Sequence, residues 1–327
     1  MAAERTAFVT GGSGFLGSAL VRRLRREGWA VRALARSAEA ATRVERVGAE
    51  PVRGDLDDPS ALRAGASGCE LAFHAAATVS DWAPREDYVR VNVEGTRKVI
   101  EACRAAGVRR LVQVGTEAAL MAGEPLRMVD ERAPLRPDSK CGYCASKAMA
   151  ERLVRDANGG ALETVVVRPR LVWGPGDTTV LPALVEAVER GRFAWLGGGR
   201  HQTSTTYVDN AVEGLVLGAE RGRPGEAYSV TDGEPVVFRE FVTDLLGTCG
   251  IDPPDRTLPL ALARALAGAS ETLWGTLALA GAPPLTRTAI WLSSLEVTID
   301  IAKARSELGY TPPVSIAGGL ERLRVEA

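Results

Sequence analysis

The segment Ala7-Phe-Val-Thr-Gly-Gly-Ser-Gly-Phe-Leu-Gly17 decides the fold of this chain. Its apolar start, from Ala7 to Thr10, predicts a buried strand, and an amphipathic helical pattern follows from Leu16 to Glu27. Where strand and helix meet, Gly11, Gly14 and Gly17 are spaced G-x-x-G-x-x-G, a variant of the more familiar G-x-G-x-x-G. Glycines at such a turn allow the backbone to approach a pyrophosphate at the helix N-terminus. The segment therefore predicts a dinucleotide-binding turn.

The same alternation of strand and helix continues through the first half of the chain. Further strands are predicted at Ala30 to Ala35, Leu71 to Ala76, Leu111 to Thr116 and Thr164 to Val167. Continuous apolar strands that alternate with helices are typical of a parallel sheet covered on both faces. The sequence predicts an α/β fold, a doubly wound parallel sheet of the Rossmann type, over residues 1–176 with return segments near 203–232.

The pattern becomes less regular after Gly176. Helices are predicted at Leu181 to Arg190 and at Asp209 to Glu220, the second with Asp209 as its N-cap. Residues 258–282 are mostly apolar but carry charges, so we expect a wall or lid over a binding site. Residues 177–327 are expected to form mostly a smaller, mainly helical substrate-binding domain.

Composition excludes several classes of protein. Among 327 residues, 41 acidic and 40 basic side chains give a net charge of -1, which argues against a nucleic-acid partner. The apolar stretches predict no integral membrane segment, although residues 258–282 leave peripheral membrane contact open. Five cysteines and two histidines predict neither a disulfide framework nor a metal site, and a reduced, cytoplasmic location is expected.

The end of the second predicted strand bears on the choice of dinucleotide. An acidic residue at this point would hold the ribose 2′-hydroxyl of NAD. Ala35 and Arg36 stand there instead, and a guanidinium suits the 2′-phosphate of NADP. NADP is therefore favoured over NAD, the alternative being that Arg36 is an ordinary solvated arginine.

Tyr143 and Lys147 are separated by one helical turn, so both side chains leave the same face of a helix. Only four lysines occur beside 36 arginines, which makes a lysine at this spacing notable. A nearby ammonium is expected to lower the pKa of the phenol and fit it for proton exchange with a substrate oxygen. Thr116, at the tip of a predicted strand, offers a hydroxyl that can polarise the same oxygen.

Taken together, the motifs resemble those of the extended short-chain dehydrogenases/reductases. They run in order through almost the whole chain: Thr10-Gly-Gly-Ser-Gly-Phe-Leu-Gly17, Gly54-Asp55-Leu56, His74-Ala-Ala-Ala77, Val91-Asn-Val-Glu-Gly-Thr96, Tyr143-x-x-x-Lys147, Arg168-Pro169-x-x-Val172-Trp-Gly-Pro175 and Asp300-x-x-Lys303 to Pro312. The resemblance implies a homodimer and, as catalytic residues, Thr116, Tyr143 and Lys147. It departs at Gly115, where a second hydroxyl is common, and we expect a looser corner there.

The resemblance also implies which residues bind the cofactor. Those around the pyrophosphate are Gly11, Gly14, Phe15, Leu16 and Gly17. Asp55 and Leu56 would meet the adenine, Ala75, Ala76 and Ala77 would line the cofactor, and Lys147 would hold the nicotinamide ribose. Pro169 and Val172 would pack near the nicotinamide.

The later motifs look most like the branch with 3β-hydroxysteroid dehydrogenases and 2-alkyl-3-ketoalkanoate reductases, which implies an NAD(P)-dependent oxidoreductase for a secondary alcohol or ketone on a bulky apolar substrate. A nucleotide-sugar epimerase or dehydratase is the alternative, although Glu117-Ala118 replaces the Asp-Glu pair of dehydratases. A non-catalytic NADP sensor is a third hypothesis. Cys141 and Cys144 are interpreted as packing residues, His74 as a residue at a strand end, and His201 as a side chain that faces the substrate.

Overall fold

Fifteen strands occur in the computed structural model, which describes residues 5–80, 82–277, 279 and 281–326. In chain order they are β1 (Thr6–Thr10), β2 (Ala30–Ala35), β3 (Glu50–Arg53), β4 (Leu71–His74), β5 (Arg110–Val114), β6 (Leu126–Val129), β7 (Glu163–Pro169), β8 (Val172–Trp173), β9 (Trp195–Leu196), β10 (Gln202–Thr203), β11 (Thr206–Tyr207), β12 (Ala227–Val230), β13 (Val236–Val237), β14 (Thr257–Leu258) and β15 (Val297–Ile299).

Twelve α-helices connect or flank these strands in the described part of the chain. They are α1 (Phe15–Arg26), α2 (Ala38–Arg46), α3 (Pro59–Ala66), α4 (Arg85–Tyr88), α5 (Gly95–Ala106), α6 (Gly142–Asp156), α7 (Val180–Glu189), α8 (Val208–Arg221), α9 (Phe238–Gly247), α10 (Leu260–Leu277), α11 (Arg287–Ser294) and α12 (Ile316–Glu326). A π-helical turn, Val89–Glu94, joins α4 to α5, and another spans Ala304–Leu308.

Seven strands form one sheet in the order β3-β2-β1-β4-β5-β7-β12, with every neighbouring pair parallel. This sheet confirms the predicted doubly wound fold. The predicted strands at 71–76 and 111–116 end earlier, at His74 and Val114, because the following residues turn away to line the sheet edge. The outer strands β3 and β12 were not predicted, since each has only four residues and β3 is mostly exposed and contains Pro51.

Alternate side chains of the central strands build two separate cores. Val9, Phe73 and Val112 belong to one cluster with Leu20 of α1 and Leu215 of α8. Phe8, Ala72 and Leu111 belong to the other, with Leu62 of α3 and Ile100 of α5. Because successive residues of a strand point to opposite faces, an uninterrupted apolar strand needs helices on both sides.

Local residues fix where several helices begin. The Ser37 hydroxyl accepts a hydrogen bond from the amide of Ala40 at 3.1 Å and caps α2, and the Asp58 carboxylate caps α3, which starts with Pro59. The prediction of Asp209 as the N-cap of α8 is wrong. That helix begins at Val208, and the Asp209 carboxylate pairs with Arg322 at 3.0 Å instead.

Smaller sheets and helices make up most of the chain after Gly176. A four-stranded sheet has the order β13-β10-β15-β6, and two further pairs are β8 with β11 and β9 with β14; β6 and β8 come from the chain before Gly176. Residues 258–282 hold helix α10, whose Ala263 and Ala267 are buried against Ile290 of α11. Among the described residues, no helix is long and apolar enough to cross a membrane.

Candidate active site

The predicted site residues follow the carboxyl ends of the parallel strands. Thr10 lies opposite His74 in register, and His74 lies opposite Gln113. Residues that come directly after β1, β2, β4, β5 and β7 therefore reach one edge of the sheet, the edge where ligands bind in this kind of fold. The glycine turn, Arg36, the three alanines after His74, Thr116 and Arg170 all meet this edge.

The glycine turn is tightly packed against the chain that follows β4. Gly11 has φ +75°, and a Cβ there would lie 2.6 Å from the amide nitrogen of Ala76. A Cβ on Gly17 would lie 2.1 Å from the carbonyl oxygen of Gly11, so helix and turn approach as closely as their backbones allow. The amides of Ala75 and Ala76 donate to the backbone and side-chain oxygens of Thr10, at 3.1 and 3.4 Å.

The start of helix α1 fits the pyrophosphate of a dinucleotide. Gly14 is its N-cap and has no side chain to accept hydrogen bonds from the first-turn amides, and the first turn holds no acidic residue. Amides in the first turn of a helix have no acceptor within the helix, and the helix dipole favours an anion there. Phe15, Leu16 and Gly17 carry these amides.

Two arginines lie where the cofactor's adenosine ribose is expected. Arg36 directly follows β2 and is exposed, and Arg53 ends β3 in register with Ala35. Neither guanidinium has an ion-pair partner among the residues that the structure describes. Asp55 and Leu56 follow on the same loop, with Asp55 exposed and its side chain accepting from the amide of Asp57 at 2.8 Å. Sequence reasoning missed Arg53 because β3 itself was not predicted.

Thr116, Tyr143 and Lys147 come together where β5 meets α6. The Lys147 ammonium donates to the carbonyl oxygen of Val114 at 2.9 Å, which fixes the helix against the end of the strand. The Tyr143 phenol lies beside the Thr116 hydroxyl, which acts to lower the pKa of the phenol. Both hydroxyl groups are therefore placed to contact the same substrate oxygen.

Lys147 also lies close to the glycine turn. Its charge acts on the buried His74 ring, and burial together with that charge lowers the pKa of His74 to about 3. Nδ1 of His74 is 2.6 Å from the Thr10 hydroxyl, one residue before Gly11, and Nε2 is 2.9 Å from that of Thr96. The neutral ring thus links strands β1 and β4 to helix α5, as expected for a residue at a strand end.

The expected effect of Lys147 on the phenol is not observed. Burial of Tyr143 and the neighbouring Glu117 carboxylate raise the pKa of the phenol above its ordinary value of 10. The prediction that Lys147 lowers this pKa is wrong for the chain alone, because burial and the Glu117 carboxylate raise it and the ammonium is directed to the carbonyl oxygen of Val114. Burial lowers the pKa of Lys147 itself to about 8.

A buried asparagine that sequence reasoning left without a role supports the start of α6. Asn92 donates to the Ser146 hydroxyl at 2.9 Å, and Ser146 donates to the carbonyl oxygen of Tyr143 at 2.7 Å. The Asn92 amide also holds Thr78 through two backbone hydrogen bonds, at 2.8 and 3.1 Å. The motif at Val91 to Thr96 contained this signal, since Asn92 is a polar residue inside an apolar pattern.

Glu117 and Arg170 form a buried ion pair beside Thr116. Their side chains are 5% and 1% exposed. Arg170 also donates to the Thr203 hydroxyl at 2.9 Å, and Glu117 accepts from the Thr116 hydroxyl at 2.7 Å. A buried pair of this kind is costly to break, so Thr116 is held by a rigid partner. Nothing in the sequence placed these two residues, 53 positions apart, in contact.

The corner at Gly115 is filled, contrary to the expectation that it is loose. A Cβ on Gly115 would lie 2.7 Å from Cγ1 of Val166 and 3.1 Å from Cγ of Arg168. Arg168 is buried and pairs with Glu151, one turn after Lys147 on α6. Glycine at this position therefore lets β5 and β7 approach each other.

The remaining predicted residues have simpler environments. Pro169 ends β7 and is buried, and Val172 begins β8 and is half-buried. His201 stacks on Phe238 with ring centroids 4.9 Å apart, and its Nε2 has no hydrogen-bond partner among the described residues. No group of three His, Cys, Asp or Glu side chains in the described part of the chain has the arrangement of a metal site.

A doubly wound sheet, a glycine turn that fits a dinucleotide and a Thr, Tyr and Lys group at the same edge define the class of extended short-chain dehydrogenases/reductases. Comparison of the sequence with known families then gives the particular family. The chain belongs to the 3-beta hydroxysteroid dehydrogenase/isomerase family, whose sequence pattern matches residues 8–262.

Several curated relatives are similar over nearly their whole length. A 4-hydroxy-2-methyl-3-oxo-4-farnesyl-3,4-dihydroquinoline-1-oxide ketoreductase from Stigmatella aurantiaca is 48% identical, over 97% of this chain and 95% of the relative. A 2-alkyl-3-oxoalkanoate reductase from Stenotrophomonas maltophilia is 39% identical, over 98% of both chains. A decarboxylating sterol-4-alpha-carboxylate 3-dehydrogenase from Dictyostelium discoideum is 31% identical, over 98% of this chain and 100% of the relative.

Solved structures share the fold. The crystal structure of gox2253 has a TM-score of 0.77 at 29% identity and covers 99% of each chain. MoeE5 in complex with UDP-glucose and NAD has a TM-score of 0.75 at 25% identity, covering 98% of this chain and 99% of its own. With the family established, the chain is a nicotinamide-dependent oxidoreductase.

Proposed function

We propose that the protein is an NADP-preferring ketoreductase that reduces a ketone on a bulky apolar skeleton to a secondary alcohol. The observation that carries this proposal is the meeting of the Thr116 and Tyr143 hydroxyls beside the Lys147 ammonium, at the same sheet edge as the glycine turn. Bound NADPH supplies the hydride. The chain's own residues orient the ketone and deliver the proton.

Tyr143 can act as the proton donor in the reductive direction. Its phenol carries its proton at neutral pH, as a tyrosine of ordinary pKa also does, and can donate it to the oxygen of the substrate as negative charge develops there. Oxidation of an alcohol needs the phenolate, which burial and the Glu117 carboxylate disfavour. Thr116 is the second hydroxyl beside that oxygen. It donates its single proton to Glu117 in the free chain, so this proton has to turn from Glu117 to the ketone oxygen when substrate binds.

The helices beside Tyr143 support an apolar substrate. Thr288 of α11 touches the Cys141 sulfur, 3.4 Å away, at the start of α6, so the α10 and α11 pair adjoins the catalytic helix. Helix α10 does not pack like an ordinary core helix, because four of its leucines are exposed to solvent: Leu262, Leu266, Leu273 and Leu277. An apolar ligand needs an apolar wall. Ketones on apolar skeletons also fit the ketoreductase and reductase names of the relatives.

Arg36 and Arg53 support the preference for NADP. Arg36 follows β2 and Arg53 ends β3, at the ribose side of the glycine turn. Neither has a described carboxylate within ion-pair distance, although the charge of Arg53 acts on Glu39. A free guanidinium binds a phosphate by charge-assisted hydrogen bonds, whereas an NAD-binding site places a carboxylate at this point.

A turnover panel tests the proposal. Purified protein is given NADPH or NADH together with a 3-ketosteroid, a 2-alkyl-3-oxoalkanoate or UDP-glucose, and the products are identified by mass spectrometry. Formation of a secondary alcohol from an apolar ketone, faster with NADPH, is the expected result. Conversion of the sugar nucleotide alone would establish an epimerase or dehydratase, and tight binding of NADPH without any turnover would establish a sensor.

A further inference from the structure

Two cysteines flank Tyr143 at the first turn of α6. Cys141 is the N-cap of the helix, and its sulfur accepts a hydrogen bond from the amide of Cys144 at 3.2 Å. The order Cys-Gly-Tyr-Cys thus begins at a helix N-terminus, where the amides and the helix dipole stabilise a thiolate on the first cysteine.

Contacts from outside the helix strengthen this arrangement. The Thr288 hydroxyl of α11 donates to the Cys141 sulfur at 3.4 Å. Hydrogen bonds from Cys144 and Thr288 lower the pKa of Cys141 to about 7, although the thiol is largely buried. The hydrogen bond with the Cys141 side chain raises the pKa of the Cys144 thiol, and burial raises it further. Cys141 therefore has the lowered pKa of an attacking thiol. Cys144 has the raised pKa of a thiol that stays protonated until the second step, as a resolving cysteine does.

Cys141 is only 5% exposed, but it lines a cavity of about 170 Å³ between α6, α11 and the segment before α4. The lining of this cavity contains three cationic residues, Arg85, Lys140 and Arg287, and one anionic residue, Glu271. The cavity is thus electropositive, which favours a thiolate and attracts an anionic small molecule.

We propose that Cys141 and Cys144 form a reversible thiol–disulfide pair whose co-substrate is a small anionic disulfide of the glutathione type. This modification site is separate from the ketoreductase activity proposed above. It revises the interpretation of these cysteines as packing residues.

The exchange proceeds in two displacements. The Cys141 thiolate attacks one sulfur of oxidised glutathione, a mixed disulfide forms, and one glutathione leaves as a thiolate that takes up a proton. Cys144 then loses its proton and attacks the Cys141 sulfur, which forms the internal disulfide and releases the second glutathione. Two protein thiols are oxidised and one glutathione disulfide is reduced to two thiols, so atoms and electrons balance.

The other cysteines provide controls within the same chain. Cys69 and Cys103 are buried, and burial raises the pKa of both, that of Cys103 to about 12, so they are expected to stay reduced. Cys249 is exposed and lies outside the cavity, so it is replaced by serine in every sample to remove exchange at the surface.

The test is intact-protein and peptide mass spectrometry after exposure of the folded chain to oxidised glutathione. Cys249→Ser protein is expected to lose two hydrogens, with the bond mapped to Cys141 and Cys144, and to regain them with dithiothreitol. Adding Cys144→Ser or Cys144→Ala is expected to trap one glutathione on Cys141. Adding Cys141→Ser is expected to prevent both products.

Other products would overturn the proposal. A glutathione adduct that persists on the chain with both cysteines present would show that Cys144 does not resolve it. Equal reaction of the Cys141→Ser protein, or no reaction of the parent under conditions that oxidise free thiols, would show that the pair is not a redox site.

Discussion

The Thr116 hydroxyl donates a hydrogen bond of 2.7 Å to Oε2 of Glu117, while the other oxygen of that carboxylate binds Arg170. The position of the proposed substrate-binding hydroxyl thus depends on a buried ion pair that no motif contains. The same carboxylate raises the pKa of Tyr143. Glu117 therefore acts on both hydroxyls of the site, on one by position and on the other by charge.

Replacing Glu117 with glutamine tests this double role. Gln cannot neutralise Arg170, and loss of one partner of a buried pair costs about 3–5 kcal/mol of unfolding free energy. Alcohol oxidation needs the Tyr143 phenolate, so its rate rises with pH as the phenol loses its proton. Because the variant lacks the charge that raises the pKa of Tyr143, this rise is expected at lower pH. Thermal unfolding and a pH–rate profile measure the two effects. The exposed Glu321→Gln variant is the control, and an unmoved pH–rate midpoint would disprove the charge effect.

Arg36→Ala tests the choice of cofactor. A charge-assisted hydrogen bond to the 2′-phosphate is lost, so the Kd for NADPH is expected to rise about tenfold while that for NADH stays nearly constant. Binding is measured by fluorescence titration. Arg63→Ala, an exposed change on α3, serves as control. Equal losses for both cofactors would contradict recognition of the 2′-phosphate.

Gly115→Ser tests the packed corner between β5 and β7. The added side chain meets Val166 and Arg168, so unfolding free energy is expected to fall by about 1–3 kcal/mol, as for other overpacked sites. Gly247→Ser is the matched control, since no atom lies within 4 Å of its Cβ position. A Gly115→Ser protein as stable as the parent in denaturant titration would show that the corner is open after all.

His74 predicts how stability depends on pH. Its pKa is about 3 in the folded chain against an ordinary 6.5, so below pH 6.5 the unfolded chain binds the proton and the folded chain does not. Stability is therefore expected to fall by about 1.4 kcal/mol per pH unit between pH 6.5 and 3 from this residue alone. His74→Gln is expected to flatten that dependence in urea titrations at pH 7 and 5. An unchanged slope would show that the ring is protonated in the fold.

The sequence predicted the centre of the sheet well because its strands are continuous apolar runs bounded by helices. It did not predict β3 or β12, whose four residues carry too little apolar pattern to distinguish strand from loop. The N-terminus of α8 was misplaced because Asp209 fits a cap in sequence, whereas its ion pair with Arg322 depends on a residue 113 positions away.

In the candidate active site, too, local sequence patterns were predicted and contacts between distant residues were not. Gly11, Thr116, Tyr143 and Lys147 lie in local motifs, so spacing sufficed to bring them to one edge. The direction of the Tyr143 pKa was predicted wrongly because it depends on Glu117 and on burial, which only the packing of α6 against the turn Glu117–Leu120 shows. Arg53 was missed for a related reason, since its place beside Ala35 follows from strand register.

Tyr143→Phe tests the central claim most directly, namely that this phenol gives the proton to the substrate oxygen. Loss of a general acid typically lowers kcat by about 10²–10⁴-fold, and NADPH binding and thermal stability are expected to stay unchanged. Tyr228→Phe is the control, since Tyr228 lies on β12 and its hydroxyl donates to Glu307 in the turn Ala304–Leu308. A Tyr143→Phe enzyme that reduces an apolar ketone at the parental kcat would contradict the account.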